Sequence, residues 1–255
     1  MTTTENQNGI AILGGAGGLG APATRRLARR APVTIGYLSN VEKAEALAKE
    51  ITESGGSAKT AQVDMTDSDS VKAFIARGVS DWGKLDAVVS VTGPAIPLCA
   101  LDAVKDEDFK RIFDTDVYGS FNVIRHASDA LKASGGGSIV LFLTTAILRT
   151  LEDDGMSGVP KTAVAGLMRQ AAREVGQHNV RLNGVAPGVI NAGIVLTSFE
   201  VDDTAKAVIA SCLNQTPLGR MGEPEEVAAL VDFLTSSDAT YISGQVIAVD
   251  GGYSA

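Results

Sequence analysis

The sequence predicts an α/β protein: a doubly wound, seven-stranded parallel sheet with helices on both faces. Three observations carry this expectation. Seven short runs rich in apolar and β-branched residues recur along the chain without clean polar/apolar alternation, the pattern of strands buried on both faces. Amphipathic stretches of helical length separate these runs. Strand and helix follow one another in regular order, which implies right-handed βαβ crossovers.

In chain order, the strands are expected at Gly9–Leu13, Val33–Tyr37, Ala58–Val63, Leu85–Val91, Ser138–Leu143, Val180–Val185 and Gln245–Val249. Helices are expected over Ala21–Arg30, Val41–Ser54, Asp67–Trp82, Asp106–Lys132, Pro160–Gly176 and Glu223–Ser236. In the fourth of these, Phe109, Ile112, Phe113, Val117, Phe121 and Ile124 form the apolar face, and Asp116 falls on the same stripe. The segment from Ile190 to Met221 breaks the rhythm, with a short helix-like piece at Thr204–Leu213. It is read as a lid over a site at the strand C-termini. With no internal repeat, the chain is expected to form one domain over residues 1–255.

Composition narrows the function classes. Hydrophobic residues make up 45% of the 255 and charged residues 20%, which excludes a disordered chain or a coiled coil. The net charge of −8 argues against non-specific nucleic-acid binding. The strongly apolar stretch Ile139–Leu148 is too short to span a bilayer, so no membrane partner is expected. The polar first eight residues do not read as a signal peptide, and Cys99 and Cys212 cannot make a disulfide framework, which together suggest a reducing cytoplasm. His126 and His178 lack partners at metal-ligand spacing, so no metal is expected. Cys99, in a proline-containing loop, reads as a buried thiol or a pocket-lining residue.

The first strand runs directly into Gly14-Gly15-Ala16-Gly17-Gly18-Leu19-Gly20, and a helix begins there. Glycine removes the Cβ that would block the close approach of backbone to a pyrophosphate, and the helix start offers free N–H groups and a positive dipole end. In that position the turn points to a Rossmann-type dinucleotide site with Gly14, Gly17, Gly18, Leu19 and Gly20 as contacts. The second strand ends in Tyr37, Leu38 and Ser39. No acidic residue stands there to bind ribose hydroxyls, which favours NADP over NAD, although no arginine follows Tyr37. Asp64, beside Met65, reads as a partner for the adenine or as a helix N-cap.

These motifs resemble the short-chain dehydrogenase/reductase family over Gly9–Gly252. The glycine turn is similar to the family's TGxxxGxG, with Leu13 at the threonine. Asp64-Met65-Thr66 resembles its Asp-Val-Thr segment, and Asn183-Gly184-Val185-Ala186-Pro187-Gly188 its N-x-V-x-P-G. Pro217–Val227 and Ser243–Gly252 resemble its C-terminal signature. The resemblance implies an NAD(P)-dependent oxidoreductase and a homotetramer. It also implies cofactor contacts from Ser90, Gly93, Lys161, Pro187, Gly188 and Ile190, with Ala192 where the family places a carboxamide-binding threonine.

The family's catalytic set is Asn, Ser, Tyr and Lys. Carried over by position, these are Asp116, Thr144, Ser157 and Lys161. A serine hydroxyl is a far weaker acid than a phenol, so Ser157 cannot replace the tyrosine as an acid. It reads equally as a helix N-cap. Asp116 reads as the partner of Lys161 in a buried ion pair or as the proton donor. The run Glu152-Asp153-Asp154 reads as a solvated face that can at most lend a replacement acid. A serine before the lysine and the stretch Asp114–Val123 are similar to the 2,4-dienoyl-CoA reductase branch, so the expected substrate is a carbonyl/alcohol pair or a conjugated enoyl compound. The alternatives are a catalytically silent dinucleotide-binding protein and a scaffold used for elimination or isomerisation.

Overall fold

A computed structural model describes residues 8–193 and 203–255. The β-branched runs pair into one seven-stranded sheet, every neighbouring pair parallel. Its strands are β1 (Gly9–Leu13), β2 (Val33–Tyr37), β3 (Ala58–Gln62), β4 (Leu85–Ser90), β5 (Gly137–Phe142), β6 (Val180–Pro187) and β7 (Val246–Val249), in the order β3-β2-β1-β4-β5-β6-β7. The order reverses between β1 and β4, so the loops leaving those two strands diverge and open a crevice at the C-terminal edge. The expected doubly wound architecture is the observed one.

Among the described residues the helices are α1 (Gly20–Leu27), α2 (Val41–Glu53), α3 (Ser68–Trp82), α4 (Asp106–Phe113), α5 (Gly119–Ser134), α6 (Gly155–Val175), α7 (Asp203–Asn214) and α8 (Pro224–Thr235). Side chains alternate across the sheet into two cores. Ala11 and Leu13 meet Phe74, Leu131, Met168 and Leu182 on the face covered by α3, α5 and α6. Ile10 and Ile12 meet Leu27, Leu47, Ile51 and Val231 on the face covered by α1, α2 and α8. Ile10 to Leu13 are all fully buried, which is why the strand runs lack alternation. Each such Leu or Ile contributes about 1.5–3 kcal/mol.

Side-chain caps set three of the helix starts. The Asn40 side chain accepts from the Lys43 amide, and that of Asp67 from the Asp69 amide, each satisfying an orphan donor. Glu223 and Glu226 close a capping box ahead of Pro224. Asp67 is therefore the cap of α3, and the alternative reading of Asp64 as a helix cap is corrected.

Two other expectations are corrected. The continuous helix Asp106–Lys132 is interrupted by a π-helical turn at Asp114–Tyr118. The wider turn changes the helical phase, so the buried stripe runs through Ile112, Asp116, Val123 and Leu131. Phe109 and Phe121 leave the apolar face and are partly exposed, Phe109 stacking on Phe113 and Phe121 lying under Arg125. Helix α6 starts five residues before Pro160, so Ser157 is not its cap. The N-cap is Asp154, whose carbonyl accepts from the amides of Ser157 and Gly158.

Of the expected lid, Ile190 bridges to Gly222 and the apolar piece near Thr204 is helix α7. Residues 194–202 of it lie outside the described residues. Among the described residues no helix is long and apolar enough to cross a membrane.

Candidate active site

The crevice opens above β1 and β4 and has two chambers that share Gly17, Val91, Thr92, Gly93 and Pro94. One, of about 430 Å³, lies between α6, α7 and the loop after β6. The other, of about 530 Å³, lies over the ends of β2 and β3.

The glycine turn forms the wall between strand and helix. Gly14 takes a positive φ of 71°, and its carbonyl accepts from the Gly17 amide. A Cβ on Gly20 would stand 2.1 Å from the Gly14 carbonyl oxygen. Gly20 therefore does not line the crevice; it lets the helix start against the turn. A Cβ on Gly18 would stand 2.7 Å from the Cα of Gly193, so the turn and the loop after β6 touch backbone to backbone. Among the described residues the amides of Gly18 and Leu19 have no acceptor, and the first turn of α1 has no acidic residue. Free amides at the positive end of a helix are the donor set an anion requires.

In the second chamber, Gly14, Tyr37, Leu38, Ser39, Asp64, Met65 and Gly93 line the walls, joined by Asn40 and Lys43. Asp64 Oδ1 accepts from the Thr66 amide at 2.8 Å and from Thr66 Oγ1 at 2.7 Å, an Asx turn that fixes the end of β3. Ser90 is placed differently from the other expected contacts. It is buried beneath the crevice floor, with its hydroxyl 3.1 Å from Thr92 Oγ1 and facing the Met65 sulfur.

The first chamber gathers Thr144, Ser157, Lys161 and Asp116 together with Gly17, Gly18, Leu19, Pro187, Gly188, Ile190 and Ala192. Lys161 Nζ donates to Asp116 Oδ1 at 2.9 Å and to the Thr92 carbonyl at 3.3 Å. The side chains of Lys161 and Asp116 are 12% and 4% exposed, so this is a buried ion pair. Tyr118, two residues on, is 51% exposed, as the helix geometry anticipates. The Thr144 side chain accepts from the Ala146 amide at the start of a single 3₁₀ turn.

Asp154, Ser157 and Lys161 recur at intervals of three and four residues along α6, which puts all three on the edge facing the cavity. The expectation of a solvated acidic run holds for Glu152, which is exposed, and fails for Asp154. Burial pushes the Asp154 carboxyl up to about 7, with the neighbouring Ser157 hydroxyl pulling part of the way back. Around it the walls are mainly apolar, with Leu98, Leu151, Met156 and Ile209 among them.

Cys212 of α7 and Tyr253 complete the cavity. Burial raises both the thiol and the phenol, and the neighbouring Asp154 raises them further. Tyr253 is held by the C-terminal glycine segment. Asp250 accepts from Thr145 Oγ1 at 2.7 Å and from the amides of Gly252 and Ser254, and Arg149 donates to the Tyr253 carbonyl and lies over its ring. Cys99, by contrast, does not line the cavity; its backbone bridges to Asp154. His126 bonds Ser68 away from the site and His178 is exposed. Among the described residues no group of three or more His, Cys, Asp or Glu could hold a metal ion.

Cys212, Tyr253 and the Thr92 carbonyl are site components that sequence reasoning passed over, and Asp154 was singled out only as one member of an acidic run that could lend a replacement acid. The spacing of Asp154 to Lys161, seven residues on one helix edge, was the signal that could have singled Asp154 out of that run.

Comparison with known proteins agrees with this architecture. A family model described as Enoyl-(Acyl carrier protein) reductase matches residues 14–254. The chain is 34% identical over 247 residues to a cis-4-hydroxycyclohexanecarboxylate dehydrogenase of Sinomonas cyclohexanicum, covering 96% of this chain and 95% of that protein. It is 31% identical over 244 residues to a 3-oxoacyl-[acyl-carrier-protein] reductase of Staphylococcus aureus, covering 94% and 96%. Among solved structures, a short-chain type dehydrogenase/reductase from Mycobacterium ulcerans superposes with a TM-score of 0.89 at 31% identity, covering 97% of this chain and 90% of that one. The chain belongs to the short-chain dehydrogenase/reductase family of oxidoreductases.

Proposed function

We propose that the protein is an NAD(P)-dependent oxidoreductase that interconverts a small or medium-sized, largely apolar alcohol and its carbonyl compound. One observation carries this reading: the buried Lys161 ammonium reaches into the same crevice that the free amides of Gly18 and Leu19 border. The residues present fit a dinucleotide. Gly17, Gly18 and Leu19 would hold the diphosphate, and the chamber of Tyr37, Leu38, Ser39, Asp64 and Met65 the adenosine. Gly93, Pro187, Gly188, Ile190 and Lys161 would border the nicotinamide end. Lys43 and Ser39 border the adenosine chamber at the end of β2, where the chain carries no acid, which supports a preference for the 2′-phosphate of NADP.

Bound there, the dinucleotide would give or take the hydride. The chain supplies the rest. Asp116 and the Thr92 carbonyl fix the Lys161 ammonium, whose charge favours negative charge developing on a substrate oxygen. Thr144 offers a hydroxyl to the same oxygen. As an ion pair, Asp116 presents a lone pair to Nζ, which supports a positioning role for it over proton donation. The relatives named as a dehydrogenase of a cyclic alcohol and a reductase of a 3-oxoacyl group support alcohol/carbonyl chemistry. The aromatic rings exposed at Phe109 and Phe121, on the helices after β4, support assembly into a homotetramer through the helices after β4 and β5.

Fluorescence titration with NADPH and NADH, followed by turnover on ketones, alcohols and conjugated enoyl thioesters, tests the reading. The expected result is tighter binding of NADPH, turnover of a ketone/alcohol pair, and loss of that turnover in Lys161→Ala. Tight binding without turnover on any substrate class would favour a silent dinucleotide-binding protein.

A further inference from the structure

We propose that Asp154 is the proton source of the substrate cavity, acting through the Ser157 hydroxyl on the substrate oxygen. The inference rests on the oxidoreductase reading above and assigns its proton-transfer group.

The argument begins with where the carboxyl is spent. Asp154 sits at the N-cap of α6, yet its side chain caps nothing; only its backbone carbonyl serves the helix. The side chains of Asn40 and Asp67, at the starts of α2 and α3, both cap. Asp154 leaves that stabilisation unused and lines the cavity instead. Its backbone is tied to the loop after β4 by the bridge to Cys99, so its position does not depend on the side chain.

Next, among the described residues that line the cavity no cation is free to claim it. Lys161 is paired with Asp116 at 2.9 Å. Arg149 is engaged by Gln215 and by the Tyr253 carbonyl and ring. The other titratable groups facing Asp154 are Cys212 from α7 and Tyr253 from the C-terminal turn, and both are raised away from neutral pH. Asp154, raised to about 7 by burial, is the one acid of this cluster poised to cycle at neutral pH.

Finally, Ser157 connects it to the reaction. Ser157 stands three residues after Asp154 and four before Lys161 on the same edge of α6, and all three line the same cavity, with the Ser157 hydroxyl near enough to oppose the rise of the carboxyl. Its short side chain leaves open the space that a phenol would fill and can pass a proton that it cannot supply itself. When hydride adds to the carbonyl carbon, the π electron pair moves to oxygen. That oxygen takes the proton of Ser157 Oγ, Oγ takes the proton of Asp154, and the carboxylate recovers one from water. Alcohol oxidation runs the same relay backwards.

The test compares the wild type with Asp154→Asn, Glu152→Gln and the double variant Asp154→Asn/Ser157→Tyr. Three readouts are the pH dependence of kcat/KM, dinucleotide affinity by fluorescence, and 13C NMR titration of Asp154 in the ligand-free protein. We expect wild-type carbonyl reduction to fall about tenfold per pH unit above pH 7. Asp154→Asn should lose about 100-fold or more in kcat and lose that limb, with dinucleotide affinity unchanged. Glu152→Gln should behave as wild type. Ser157→Tyr, added to Asp154→Asn, should restore at least tenfold. Turnover and an unchanged limb in Asp154→Asn would overturn the proposal and leave the oxidoreductase reading standing; a wild type that binds neither dinucleotide would overturn both. Should Asp154→Asn fail to fold, the NMR titration decides alone: an Asp154 carboxyl titrating near 4 refutes the proposal.

Discussion

Replacing Asp116 by Asn removes one charge from the ion pair and little else, since the amide keeps the shape and one carbonyl oxygen. The structure sets the scale of the effect. The partners meet at 2.9 Å with 12% and 4% of their side chains exposed, so solvent cannot compensate the stranded ammonium. Its remaining acceptors are neutral, the amide oxygen left at position 116 and the Thr92 carbonyl at 3.3 Å. Truncating one partner of a buried pair costs about 3–5 kcal/mol, because an uncompensated charge stays inside. Removing both charges, in Asp116→Asn/Lys161→Met, should return most of that loss. Urea unfolding of the wild type, both single variants and the double variant, at pH 7 and fixed salt, gives the coupling energy directly. A loss under about 1 kcal/mol for Asp116→Asn, or a double variant no better than either single one, would refute the claim that this pair is a buried charge pair holding α6 to the π turn.

Two further expectations follow from named contacts. The Asp154 carboxyl is raised from 3.8 unfolded to about 7 folded, so the native state holds its proton more tightly. Its contribution is complete below about pH 4 and lost as pH rises through 7, with a ceiling of about 4 kcal/mol, at about 1.4 kcal/mol per pKa unit. Asp154→Asn should therefore match the wild type in acid and exceed it in stability at pH 8; parallel stability curves from pH 5 to 8 would contradict the buried carboxyl. Gly20→Ala would drive a Cβ to 2.1 Å from the Gly14 carbonyl oxygen, so the turn must open. Thermal unfolding and NADPH titration should show a destabilised protein without dinucleotide affinity, and an unaltered titration would remove the turn from the binding site.

The sheet was legible because its physics is local. Strands buried on both faces must be continuous apolar runs, and all seven fell within two residues of their expected bounds. The inward placement of Asp116 was legible for a related reason, since its neighbours at helical spacing are apolar. The π turn was not: the residues Asp114 to Tyr118 carry no breaker, and the extra residue is accommodated by packing against α6. Helix α6 was placed too late because Pro160 suits a first turn. The missing N–H of proline costs one bond near a helix start, and the helix begins at Gly155 regardless. That error hid Asp154, since a charge run ahead of a helix reads as solvated until the helix edge is known. Cys212 and Tyr253 reach the cavity only through tertiary contacts, with Arg149 anchoring Tyr253 across 104 residues of sequence and Thr145 anchoring Asp250 across 105.

The wide turn at Asp114–Tyr118 makes the site depend on a residue count. Each residue of a regular helix advances about 100°, so excising one position from this stretch would rotate Asp116 away from Lys161 while leaving every letter of both side chains intact. Libraries that exchange amino acids at these five positions sample only one register. Variation by single-codon loss or gain samples the other, and with it a protein whose ammonium must find a new anion.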